Sequence, residues 1–248
     1  MLRYFTSILL LLVSSYMVAQ EEAPKDEETP QGELIETARD SISKKDKYGL
    51  RFGIDLGRPV FTFLDEENYT GFEIVGDFRI SKKLYIAAEL GNEEHTIDDK
   101  QVNFTAKGSY IKLGVDYQLY NNWYGMDNMI YIGGRYSFST FSQTLNSFSL
   151  IDRNQAVFEE NTLSEPGTEF SGLNASWLEL VFGAKVELFN NFYMGASVRI
   201  SRLFTSTEPD SFANLWIPGF NKVTEDSSFG VGFNYTLSYR IPIFKKDR

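Results

Sequence analysis

The sequence predicts an all-β fold, an eight-stranded antiparallel up-and-down transmembrane β-barrel, and three observations point to it. Residues 229 to 243 alternate without a break, with Phe229, Val231, Phe233, Tyr235, Leu237, Tyr239, Ile241 and Ile243 separated by small or polar residues. Successive strand side chains point to opposite faces, so one face of this segment is wholly apolar. It is longer than the usual globular strand of about 5 or 6 residues and ample for a bilayer crossing of about 9 to 11 tilted residues. The second observation is that the pattern recurs seven more times, which gives the even strand number of a single-chain outer-membrane barrel. The third is a matched set of charges on the face opposite the apolar one.

From the amino-terminal end, Arg3, the apolar run Ile8 to Val13 and Ala19 read as a secretory signal peptide over residues 1–19, so export is expected. Residues 20–47 are rich in Asp and Glu and poor in aromatic and branched side chains. Such a segment cannot bury enough surface to offset its ordering entropy and reads as an acidic disordered periplasmic stretch. The barrel domain is expected over 48–248. No cysteine is present, which excludes disulfides and thiolate metal sites. After the signal no apolar run is long enough for a spanning helix. An integral protein must then be a closed barrel, because hydrocarbon does not tolerate unpaired backbone polar groups.

Eight segments alternate: 48 to 60, 70 to 81, 83 to 95, 103 to 120, 128 to 142, 173 to 189, 191 to 205 and 228 to 244. The apolar register of the first holds Tyr48, Leu50, Phe52, Ile54, Leu56 and Val60, and that of the second Phe72, Ile74, Phe78 and Ile80. Ile86, Ala88 and Leu90 carry it in the third, Ile111, Leu113 and Val115 in the fourth, and Ile130, Ile132, Tyr136 and Phe138 in the fifth. The sixth has Leu178, Leu180 and Phe182, and the seventh Met194, Val198, Ile200 and Phe204. Ser81 to Lys83 and Asn190-Asn191 make tight turns, Asn121 to Asn128 a further connection, and most others are longer, the third running from about 143 to 172. Short turns at one end and long loops at the other is the outer-membrane arrangement, with the short turns periplasmic.

Alternation alone does not say which face points outward, and a soluble lipocalin-like barrel with an apolar interior is the structural competitor. The polar face collects glycines such as Gly53, Gly91, Gly114, Gly133 and Gly183, which suits a narrow interior. It also carries Arg51, Arg79, Lys112, Arg135, Lys185, Arg199 and Arg240 against Asp55, Glu73, Asp77, Glu89, Asp116, Glu179 and Glu187. An enclosed lumen must balance its charges in this way, because a lone buried charge costs several kcal/mol. These residues are the expected lumen ion network. Tyr48, Phe72, Tyr117, Tyr120, Trp123, Phe138, Phe141, Phe189, Phe192, Phe204 and Phe244 are expected in the interfacial girdles.

The long-loop end is acidic. Asp65, Glu66 and Glu67 lie in the first loop, and Glu93, Glu94, Asp98 and Asp99 against Lys100 in the second. The third has Asp152, Glu159, Glu160, Glu165 and Glu169 against Arg153, and the fourth Glu208, Asp210, Glu225 and Asp226 against Lys222. Nucleic acid is an unsuited partner for such a surface, whereas carboxylate pairs could hold divalent cations. Arg58, Lys107 and Arg202 break the apolar register near the loop end, where lipopolysaccharide phosphates would sit, and are the expected lipopolysaccharide contacts. The single histidine, His95, enters the second loop beside Glu93, Glu94 and Asp98; with Ser139 or Ser142 it would be the only base for lipid A acyl chemistry.

Four strings, YGLRFGIDLGRP, TGFEIVGDFRISKKLYIAAELGNEE, RYSFSTFSQTLN and FGVGFNYTLSYRIPIF, resemble a family of exported bacterial proteins known as a domain of unknown function. The resemblance covers about residues 48 to 248 and implies an outer-membrane β-barrel; it brings no activity or site residues. In architecture the chain is also similar to OmpA-like and OmpX-like barrels, although Lys245 to Arg248 follow the aromatic on which such strands usually end. The expectation is a monomeric structural or surface-interaction barrel in the outer membrane of a diderm bacterium, plugged by its ionic lumen and without a cofactor. Its expected partners are outer-membrane lipid, lipopolysaccharide and the barrel-insertion machinery. The alternatives are a lipid A-modifying enzyme and a soluble periplasmic ligand-binding barrel.

Overall fold

Each alternating segment forms a strand, and the eight strands join edge to edge into one closed antiparallel ring. The computed structural model describes residues 45–99, 102–120, 127–148, 167–209, 214–223 and 228–247. In chain order the elements are β1 (Lys45–Asp55), α1 (Gly57–Leu64), β2 (Tyr69–Arg79), β3 (Leu84–Asp98), β4 (Val102–Gln118), β5 (Met129–Phe148), β6 (Thr168–Phe189) and β7 (Phe192–Ser206). The short strands β8 (Trp216–Ile217) and β9 (Asn221–Lys222) follow, and then β10 (Phe229–Asp247). Consecutive long strands pair, β10 closes the ring against β1, and β8 with β9 forms a separate hairpin. The expected signal peptide, residues 20–44 of the expected acidic segment, Trp123, the third-loop acids Asp152, Glu159, Glu160 and Glu165 and the fourth-loop acids Asp210, Glu225 and Asp226 lie outside the described residues, whereas Lys45 to Lys47, expected in the disordered stretch, belong to β1.

Parity sorts the two faces. Leu50, Phe52, Ile86, Leu90, Leu113, Ile130, Leu180, Ile200 and Phe233 are exposed on the outer wall, while Arg51, Asp77, Glu89, Glu179 and Arg199 are buried within. Inward glycines make room for rings. A Cβ at Gly91 would strike the Tyr110 ring, and one at Gly183 would lie 2.5 Å from that of Tyr131.

Four features depart from the sequence reading. β1 ends at Asp55, and the last part of the first segment is the helix α1. Leu56 and Val60 mimic strand alternation, but Pro59 has no N–H for a ladder and is tolerated in a first helical turn. Strands β3, β5 and β6 run beyond the expected 95, 142 and 173, to Asp98, to Phe148 and from Thr168. Their outward faces there are polar and are bound by cross-strand pairs such as Thr96 with Thr105 at 2.8 Å and Asn146 with Thr105 at 3.0 Å, while Leu145 and Phe170 turn to the buried side.

The other two departures concern the aromatic girdles. Phe141 faces inward, on the same parity as Ser137 and Ser139, and joins a buried cluster. Tyr48 is also buried: the β1–β10 register slips between Tyr48 and Gly49, skipping Ile243, and the Arg79 guanidinium lies 4.9 Å from the Tyr48 ring.

Candidate functional site

The lumen is layered. Toward the short-turn end Arg51 Nε meets Asp77 Oδ1 at 2.7 Å, and its guanidinium sits 5.0 and 5.1 Å from the rings of Tyr85 and Tyr193. Lys185 Nζ reaches the other Asp77 oxygen at 2.5 Å. Arg240 pairs with Asp127, a carboxylate absent from the expected network, and lies 3.8 Å from Glu187. Arg79 donates to the Ser81 and Lys82 carbonyls and so holds the β2–β3 turn.

The middle layer is a six-charge network. Glu89 accepts from Arg199 Nη1 at 2.5 Å and Arg135 Nε at 3.2 Å, and Glu179 meets Lys112 at 2.9 Å and Arg199 at 3.1 Å. Asp116 lies 2.7 Å from Arg135 Nη1. All six side chains are buried, so screening by bulk water is weak.

The layer nearest the long loops differs, because one stretch of wall is not made of strands. β1 accompanies β10 only as far as Asp55 opposite Thr236, and β2 only as far as Ile54 opposite Ile74. Past that point β10 from Phe229 to Tyr235 and β2 from Tyr69 to Glu73 have no strand between them among the described residues, and α1 stands there. Three bonds fix it. Leu56 N donates to Tyr235 O at 2.6 Å, Asp55 Oδ1 accepts from Tyr235 N at 2.8 Å, and Gly71 N donates to Thr62 Oγ1 at 3.0 Å. α1 turns Arg58 inward and leaves Phe63 and Leu64 outside, 85% and 76% exposed.

Behind α1 lies a cavity of about 570 Å³. Its sides are Phe61 and Tyr69, the outward-facing Val231, Phe233 and Tyr235 of β10, and Trp216 and Phe220 of the β8–β9 hairpin; Lys112, Glu179 and Arg199 of the ionic layer lie at its base. The hairpin is folded into the barrel mouth. Ile217 and Phe220 are buried against Tyr110, Phe141, Leu173, Ala175 and Trp177. Gly219 has φ +84°, a backbone state most side chains disfavour, and its N–H donates to Glu93 Oε2 at 2.9 Å.

Arg58 is the principal correction. Expected on the lipid face as a lipopolysaccharide contact, it is 11% exposed, pairs with Glu93 at 2.6 Å and donates to the Tyr69 hydroxyl at 2.9 Å. Leaving the strand for a helix reversed the direction that alternation assigned to it. Glu93, expected as a loop acid, is likewise a buried strand residue. Lys107 and Arg202 do face outward: Lys107 pairs with Glu94 at 2.9 Å, and Arg202 lies 6.0 and 5.6 Å from the Phe204 and Phe229 rings. Asp55 is held by the Tyr235 amide rather than by an arginine. Glu73 accepts from the Tyr110 hydroxyl at 2.5 Å and from Asn234 at 2.8 Å.

His95 sits among rings, 4.3 Å from Trp216 and 5.4 Å from Tyr69, edge to face. It lies past Leu90, the last outward apolar residue of β3, and so beyond the apolar belt. Burial holds its imidazole below the ordinary range, with Glu93 and Asp65 pulling the other way. Ser139 donates its hydroxyl to the Ser109 carbonyl at 3.3 Å, and Ser142 lies on the opposite parity of β5. Among the described residues no cluster of three or more His, Asp or Glu is placed to hold a metal ion.

A family model described as a domain of unknown function, DUF6048, matches residues 1–246. The chain belongs to the DUF6048 family. No curated protein matches it in sequence. Among solved structures, this DUF6048 member is similar to Ail, the attachment invasion locus protein of Yersinia pestis, at 8% identity and a TM-score of 0.39 over 79% of this chain and 99% of that one. It is also similar to neisserial surface protein A (NspA), at 11% identity and TM-score 0.42 over 81% of this chain and 99% of that one. A major outer membrane protein from Thermus thermophilus matches at 15% identity and TM-score 0.39, over 79% of this chain and 98% of that one.

Proposed function

We propose that this DUF6048 member is a non-conducting outer-membrane barrel of a diderm bacterium, monomeric, that presents its acidic long-loop end outside the cell. One observation carries the reading: exposed Leu, Ile, Val and Phe side chains from all eight long strands encircle an interior of paired charges. In water that outer surface would be an apolar patch far larger than soluble monomers present. In a bilayer it is the solvated face, and the lumen charges neutralise one another away from lipid. A soluble ligand-binding barrel would have the faces reversed.

The interior supports closure rather than conduction, since eight strands leave a lumen that side chains fill. Here the ionic layers fill its lower part and the β8–β9 hairpin its mouth. The reading includes no lipid A acyl chemistry, because His95 is flanked by rings and neither candidate serine is held toward it. The proposed lipopolysaccharide contact rests on the exposed Arg202 and Lys107, and replacing both with Gln should lower co-purified lipopolysaccharide. The decisive experiment combines carbonate washing of membranes with gel migration before and after heating. Retention in the outer-membrane fraction with heat-modifiable migration supports the barrel; release by carbonate refutes it. Steady conductance in a planar bilayer would refute closure.

A further inference from the structure

We infer that the cavity behind α1 is a binding site for an amphiphile with an uncharged, hydroxylated head, which enters sideways from the outer leaflet between α1 and β10. This rests on the membrane reading above.

The entrance follows from strand pairing. Val231, Phe233 and Tyr235 belong to the outward parity of β10, with Phe233 66% exposed, yet they also line the cavity. The cavity therefore reaches the lipid-facing surface. Across the β10–β7 ladder Val231 pairs with Ile200 and Phe233 with Val198, both exposed apolar residues, so the opening lies within the apolar belt. Tyr235 directs its N–H and C=O toward the end of β1, and strand geometry turns the peptide groups of Val231 and Phe233 to the same side. Backbone of this kind is tolerated at membrane depth only where protein buries it or it lines a water-filled cavity, and Val231 and Phe233 line this one. A molecule in the opening would meet apolar side chains outside and hydrogen-bonding groups inside.

The head chemistry follows from buried polar atoms on cavity-lining residues. Trp216 Nε1, Glu93 Oε1 and His95 Nδ1, together with the donors Arg58 Nε and Arg199 Nε, have no hydrogen-bond partner among the described residues. The indole can only donate, the carboxylate oxygen accepts, and neutral imidazole presents either function. The charged lining is mixed, so either ionic head meets like charge: an ammonium would leave the indole unmet and face Arg58, Lys112 and Arg199, and a phosphate would face Asp55, Asp65, Glu93 and Glu179. A hydroxyl both donates and accepts. The Trp216 and Tyr69 rings offer faces on which a polyhydroxylated ring can rest.

Gly232 provides the test. It lines the cavity, and a Cβ there would have nothing nearer than Asn221 at 3.7 Å, so a larger side chain fills the space without striking backbone. The protein is inserted into phosphatidylcholine vesicles, with heat-modifiable migration confirming insertion for each variant. Trp216 emission, defined as the difference from Trp216→Phe, is titrated with octyl glucoside below vesicle-dissolving concentrations, and with glucose, octyl phosphate and octylammonium. A saturable change with octyl glucoside is expected. It should be at least about tenfold weaker with glucose, which lacks the chain, weaker with both charged probes, and absent in Gly232→Leu, or in Gly232→Val should Leu prevent insertion. Inserted protein that gives no saturable signal overturns the site; an equal response from glucose overturns lateral entry; an equal or stronger response from either charged probe overturns the uncharged head; and an unaltered response in the filled variant overturns the location. Failure to insert strikes the membrane reading instead.

Discussion

Replacing Glu89 with Gln removes one charge from a buried, neutral group of six. In the native barrel Glu89, Asp116 and Glu179 face Lys112, Arg135 and Arg199, with Glu89 2.5 Å from Arg199 and 3.2 Å from Arg135. The substitution leaves a surplus positive charge in a space closed to bulk water, which costs about 3–5 kcal/mol. Changing Arg199 to Met as well restores neutrality, since Arg135 keeps Asp116 at 2.7 Å and Lys112 keeps Glu179 at 2.9 Å. The double variant should therefore lose less than the sum of the two single losses, by about 1–3 kcal/mol. Urea unfolding from vesicles, followed by tryptophan emission and gel migration, measures all three variants. Salt at about 1 M should change the coupling little, because screening needs ions to reach the charges. Additive losses, or a Glu89→Gln cost below about 1 kcal/mol, would refute the reasoning by showing a hydrated, screened layer.

Three further outcomes are expected. Ile200→Arg, on the exposed outward face of β7, should lower stability in vesicles by about 2–4 kcal/mol, the cost of an arginine in the hydrocarbon layer; urea titration reads the cost, and a change within error would contradict lipid contact. Gly219→Ala places a Cβ 2.5 Å from the Tyr110 ring at a positive φ, so it should loosen the β8–β9 hairpin at a cost of about 1–3 kcal/mol. Limited proteolysis should then cut between residues 207 and 228 faster than in the parent, and equal rates would count against the packed hairpin. For His95, burial lowers the folded pKa, so below the ordinary imidazole value of about 6.5 the opened state binds more protons and closure weakens as pH falls. Hairpin proteolysis should accelerate between neutral and mildly acidic pH in the parent and much less in His95→Phe; identical pH profiles would remove His95 as the cause.

Strand number, order and facing were legible because a barrel wall with an apolar outer face and a charged inner one imposes a strict period of two. Leu50, Phe72, Ile86, Ile111, Ile130, Leu180, Ile200 and Phe233 all stand on the face their parity assigns. Where that constraint ends, so does the signal. Asn92, Glu94 and Thr96 continue β3 in a polar setting in which alternation has nothing to separate. Phe141 was readable, as its odd number shares the parity of the buried Ser137 and Ser139. α1 was half-readable: Pro59 and the break at Arg58 argue against a strand, while Leu56 and Val60 keep the alternating appearance. The cavity was not readable, since it depends on β1 stopping short of its neighbours and on a distant hairpin carrying Trp216 and Phe220 into the mouth. The turn residues Pro218 and Gly219 between apolar Ile217 and Phe220 were the one local hint of that hairpin.

The seam between β1 and β10 joins the beginning of the barrel to its end, with Leu50 opposite Ile241 and Lys47 opposite Lys245. During assembly the first strand must wait for the last to be synthesised, and until then two bare margins remain ready to recruit other chains. The residues after Phe244 prolong this final zipper down to Lys45 opposite Asp247, so the carboxy-terminal extension is part of the latch rather than an overhang.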